Sequence, residues 1–174
     1  MLSENIDDAS SGWKFKAEKK LKAGFSFKLW SKVQDGGIDM SRVEYTLPGV
    51  SMAQIDEYFK KFKEMNKDPY IEKMDIFERD ERGMPTLYYL ITKIPMMTKR
   101  ESIIRMKRTP KDEHIFYLLN TVEKDDIPRT TQFVRTDLFK GIRYTPQPDG
   151  SVNVVEFMQF NMGGYFPGSF LNMI

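Results

Sequence analysis

At 174 residues the chain has the length of one domain, large enough to bury roughly 70% of the surface that its unfolded form would expose. With 27 basic and 25 acidic residues the net charge is +2, too slight for a nucleic-acid footprint, and the lack of cysteine excludes disulfides and thiolate metal sites. No apolar run approaches the roughly 18 residues of a membrane span, and the N-terminus has neither the basic nor the apolar region of a signal peptide. The expectation is a soluble, cytoplasmic protein that touches membranes only peripherally.

Residues 1–12 are polar and read as a flexible tail, leaving 13–174 as the domain. From Trp13 the pattern has period two: Trp13, Phe15 and Ala17, then Phe25, Phe27 and Leu29, then Val43, Tyr45 and Leu47, with bends at Gly24 and at Asp35-Gly36-Gly37. Three half-buried strands of an antiparallel meander follow from that alternation. After Pro48-Gly49, Ser51 and Gln54 form a capping box, with Val50 and Ile55 placed as its hydrophobic staple. Met52, Ile55, Phe59 and Phe62 then recur at three- and four-residue spacing, the stripe of a helix that packs on something apolar.

Beyond the Pro69 connector the chain reads as strands over residues 71–78, 87–94, 101–106, 115–122, 132–144 and 151–161. The run 87–94 is apolar on nearly every side chain, as in a strand covered on both faces. In the next run Ser102, Ile104 and Met106 point one way, with Arg100 on their side, while Glu101, Ile103 and Arg105 point the other. A guanidinium on such a face needs a carboxylate, a carbonyl or a ligand. Gln147-Pro148-Asp149-Gly150 is a hairpin turn, Gly163-Gly164 stops the last strand, and Pro167 suits the first turn of a terminal helix. The fold class is α+β, a long curved antiparallel sheet with few helices. Twelve methionines add adaptable apolar filling, which suits either a core or a ligand cavity.

Catalytic chemistry is missing from the pattern. His114 stands alone, and there is no G-x-S-x-G, glycine-rich phosphate loop, H-E-x-x-H or EF-hand. No nucleophile has an adjacent base. Binding is expected, without metal or cofactor.

The order of elements, with KIPMMTKRES at 93–102 and FNMGGYFPGSFLN at 160–172, resembles the StAR-related lipid-transfer (START) domain of the helix-grip superfamily. Arg135, after two apolar residues, falls where that family often has an arginine. The resemblance implies a helix-grip fold whose sheet encloses an apolar tunnel for one lipid, with the C-terminal helix as its cover. At about 0.8 kcal/mol per buried methylene, hiding one acyl chain from water is a sufficient drive. By resemblance the lipid-binding residues are Asp68, Tyr70, Tyr89, Arg100, Ser102, Ile104, Met106, Phe139, Phe166 and Leu171. The partners it implies are a lipid and, transiently, a membrane surface.

Departures bear on which lipid. Phosphatidylcholine binders of the family carry an Arg shortly before Trp-Asp-x-Tyr and cage the choline with aromatic rings. Here Asp68 and Tyr70 stand, but Glu64 and Lys67 take the Arg and Trp positions, and the cage positions Tyr89, Ser102 and Phe139 are one aromatic short. Sterol carriers place a Glu and an Arg on facing strands, where this chain has Leu87 and Met106. Phospholipid, sterol and ceramide therefore all stay open. The sequence also ends one turn into the covering helix: the chain is cut short, or the tunnel is open, or another chain supplies the lid. An uncovered opening favours self-association or lipid occupancy. A lipid-sensing or scaffolding module, or a helix-grip enzyme acting on an apolar substrate, are the alternative functions.

Overall fold

A computed structural model describes residues 12–20, 25–33, 39–65, 68–127, 129 and 131–164. The elements in chain order are β1 (Lys14–Lys20), β2 (Ser26–Lys32), β3 (Met40–Leu47), α1 (Met52–Lys60), α2 (Phe62–Met65), β4 (Ile71–Arg79), β5 (Pro85–Thr92), β6 (Arg100–Lys111), β7 (His114–Thr121), β8 (Val134–Arg135), β9 (Asp137–Pro146) and β10 (Val152–Asn161). The strands form one sheet in the order β1-β2-β3-β10-β9-β7-β6-β5-β4. The short β8 runs parallel beside the start of β6, and the other pairings are antiparallel. The expected bends at Gly24 and at residues 35–37, the N-terminal tail and the terminal helix lie outside the described residues.

The helix forms where its caps place it. Ser51 Oγ accepts the amide of Gln54 at 3.3 Å, and Gln54 Oε1 accepts the amide of Ser51 at 2.8 Å, which satisfies two otherwise orphaned donors. Ile55 and Phe59 are buried against the sheet, and Phe59 stacks on Tyr117 with ring centroids 4.1 Å apart. A polar clamp fixes the rotation of α1: Arg108 forks onto both oxygens of Asp56 at 2.8 Å, and the Tyr117 hydroxyl donates to Asp56 Oδ1 at 2.5 Å. The expected stripe is broken at Lys61. Phe62 opens α2 instead and packs beside Tyr58 and Tyr88.

Alternation along the strands gives the sheet two distinct faces. The helix side carries Tyr88, Ile104, Met106, Tyr117, Ile142, Tyr144, Val152 and Val154 under Ile55 and Phe59. The outer side of β5 and β6 carries Leu87, Tyr89, Ile91 and Ile103, covered by Val122, Ile127 and Phe133. Strand β5 is thus buried on both faces, as its unbroken apolar run requires.

Two expectations need correction. In the meander the most buried residues are Met40, Arg42 and Trp30, which face away from Phe27, Leu29 and Val43. The guanidinium of Arg42 lies 5.8 Å from the Trp30 ring and 5.2 Å from that of Phe157, and it also pairs with Glu44, so a charge can occupy the apolar side. A bulge between Phe15 and Ala17 further breaks the period and leaves Phe15 57% exposed. Residues 132–144 are not one strand. Thr136 interrupts them, because Arg135 pairs along β6 while Leu138, whose amide donates to Thr121 Oγ1, follows β7.

At the end of β10, Gly163 and Gly164 both have positive φ, and a Cβ on Gly163 would lie 2.9 Å from Val134 Cγ1 and 3.0 Å from the Arg135 carbonyl oxygen. Gly150 also has positive φ, yet its Cβ position is open. Gly163→Ala should therefore lower stability by more than Gly150→Ala, for which about 1–2 kcal/mol is expected. Denaturant unfolding of the two variants checks this; equal losses would mean that the Val134 contact is easily relieved.

Candidate functional site

The helix-side face extends past α1 toward the C-terminal end of β10. There Met158 and Phe160 are 39% and 40% exposed beside half-buried Leu138, and Ser102 lies across the sheet on β6. In the midst of this band the Tyr45 hydroxyl donates to Glu156 Oε1 at 2.5 Å, and Lys140 Nζ lies 2.7 Å from Glu156 Oε2. Burial, followed by the charge of Glu156, pushes the Tyr45 hydroxyl far above the usual tyrosine range. Sequence reasoning missed this trio. Its signal was Glu156 and Lys140 at in-facing positions of otherwise alternating strands, which only the register reveals.

On the outer side Glu101 and Arg135 meet with side chains 2% and 3% exposed. Arg135 Nε donates to Glu101 Oε1 at 3.1 Å, its Nη2 to the Ile127 carbonyl at 3.1 Å and its Nη1 to Glu123 at 3.3 Å. The Tyr89 hydroxyl donates to Glu101 Oε2 at 2.7 Å. This network binds the segment after β7 across β5 and β6.

The residues expected to bind lipid divide between the faces. Arg100, Ser102, Ile104 and Met106 share the helix side, although Ile104 and Met106 are core residues there. Ser102 Oγ lies 2.5 Å from Thr136 Oγ1, and Arg100 donates to the Thr98 carbonyl and, at 3.5 Å, to that of Gly163. Burial holds the Arg100 guanidinium below its ordinary pKa. Tyr89 and Phe139 lie on the outer side, the first held by Glu101 and the second packed with Met40, Val155 and Phe157. Asp68 and Tyr70 are exposed in the connector before β4, where Asp68 Oδ1 accepts the Tyr70 amide at 2.8 Å. Phe166 and Leu171 lie outside the described residues.

The fold recurs in solved structures. Human StAR-related lipid transfer protein 5 superposes with a TM-score of 0.71 at 19% identity, over 96% of this chain and 80% of that one. Human STARD10 gives 0.70 at 15% identity, over 95% and 67%. A STAR-related lipid transfer protein fragment from Xanthomonas axonopodis gives 0.68 at 18%, over 93% and 89%. The fold is the START fold. It is α+β and of the helix-grip type. No family model and no curated protein matches the sequence.

Tyr89 and Ser102, two of the positions that the resemblance aligns with a choline cage, occupy adjacent register positions on opposite faces of the β5–β6 ladder. Ser102 pairs with Leu90 and Tyr89 with Ile103. Leu87 and Met106 are separated in the same way, Leu87 in the outer cluster and Met106 in the inner one. No helix among the described residues is long and apolar enough to cross a membrane.

Removing one member of the Glu101–Arg135 pair strands a charge, at a cost of about 3–5 kcal/mol. Arg135→Leu should lose that much in urea unfolding, and Glu101→Gln/Arg135→Leu should regain most of it; additive losses would refute the coupling. A pH effect accompanies it. Burial first, then the bond to Glu101, pushes Tyr89 up to about 12. The raised value means that its contribution is full below the ordinary tyrosine pKa of about 10. Stability should thus fall as pH rises from there through about 12. Tyr89→Phe should flatten this part of the pH–stability curve, and an unchanged slope would contradict the assignment.

Proposed function

We propose that this chain binds one lipid on its helix-side face and carries it between membranes, as a non-enzymatic domain without a cofactor. The observation that carries this reading is the exposure of Met158 and Phe160 on the inner wall of a fold that solved lipid-transfer proteins share. Apolar side chains left half open on the face that elsewhere forms the core favour an apolar occupant. Ser102 and Arg100 then stand at one border of the lipid-contacting area, with Leu138, Met158 and Phe160 within it. The cytoplasm and transient contact with membrane surfaces fit such a carrier, and the +2 charge offers weak attraction to anionic lipid.

Vesicle-to-vesicle transfer of fluorescent lipids tests the reading. Wild-type protein should accelerate transfer, and Met158→Glu/Phe160→Glu should reduce it at least about tenfold by charging the apolar wall. Phe15→Ser, on the edge strand β1, should transfer as wild type does. Folded wild-type protein that moves no lipid, or a double variant that transfers normally, would overturn the proposal.

A further inference from the structure

Tyr45 on β3, Lys140 on β9 and Glu156 on β10 converge in the middle of the sheet, away from both edges. The Lys140 and Glu156 side chains are 27% and 18% exposed. Their partners in the ladder on this face are apolar: Leu119 and Met158 oppose Lys140, and Ile142 and Val43 oppose Glu156. An ion pair among such neighbours gives little net stability, since apolar residues of like volume would serve as well. Its polar atoms do suit a headgroup.

We propose that Tyr45, Lys140 and Glu156 form the headgroup site for an uncharged lipid alcohol, an assignment that rests on the lipid-carrier reading above. A hydroxyl both donates and accepts. Glu156 keeps acceptor directions beyond those used by Tyr45 and Lys140, and the Lys140 ammonium has donors beyond the one aimed at Glu156. A single alcohol group can therefore bridge the pair. The pair with neutral Tyr45 carries no net charge, so an anionic phosphate meets Glu156 as well as Lys140 and gains little for the water it sheds. A quaternary ammonium would meet the Lys140 ammonium, a like charge held 2.7 Å from Glu156, before it could pair with that carboxylate. Sterols, ceramides and diacylglycerols share the hydroxyl and differ in the apolar body behind it.

The test measures transfer from phosphatidylcholine vesicles carrying one fluorescent probe at a time: a sterol, a ceramide, a diacylglycerol, a phosphatidylcholine or a phosphatidic acid. Wild type should transfer at least one of the three alcohols in preference to both phospholipids, and which one identifies the body. Lys140→Gln/Glu156→Gln, which removes both charges together, should lower that transfer roughly ten- to a hundred-fold, the worth of hydrogen bonds to charged groups. Tyr45→Phe, which leaves the ion pair in place, should lower it less and provides the reading if the double variant fails to fold. Unchanged alcohol transfer by the folded variants, or a preference for either phospholipid, overturns the headgroup assignment and leaves the carrier reading standing. No transfer of any probe by folded wild type overturns both.

Discussion

Glu101 and Arg135 meet between β6 and β8 with almost no solvent around either, and the outer face of the sheet closes over them. Strand β5 is apolar on both sides, so it needs cover on both. Val122, Ile127 and Phe133 supply the outer cover, and Arg135 anchors that segment through the Ile127 carbonyl. Among the described residues the inner cover is only partial. Helix α1, clamped by Asp56, Arg108 and Tyr117, shields the end of the face that holds Tyr117 and Tyr144. The band toward Met158 and Phe160 is left half open, and the proposed function follows from that asymmetry.

Much of the fold was legible because its signals are local. Ser51 and Gln54 fix the start of α1, and Gln147 and Gly150 close the β9–β10 hairpin with a bond from the Gly150 amide to the Gln147 carbonyl at 3.0 Å. The unbroken run in β5 predicted cover on both faces, and the Gly163-Gly164 stop has a steric cause in Val134. Residues near in sequence make these contacts, or a single conformation demands them.

What stayed hidden depends on register between distant strands. Alternation says that Tyr89 and Leu90 face opposite ways, but not which of them shares a side with Ser102. That parity puts Tyr89 and Phe139 on the face opposite Arg100, Ser102, Ile104 and Met106. Arg42 reads as an outward charge until Trp30 and Phe157 are seen around it. Tyr45 and Glu156 are 111 residues apart, and only the β3–β10 and β9–β10 ladders bring them and Lys140 together. At identities of 15–19% to the solved START folds, the backbone plan is shared while most side chains differ.

The central claim is that the half-open inner wall holds a lipid. Native mass spectrometry of the protein purified from cells without detergent measures this most directly. The account predicts a folded chain carrying one lipid mass in a one-to-one complex, released when the protein unfolds. A folded chain at its bare mass, which stays bare after incubation with lipid vesicles, would contradict it.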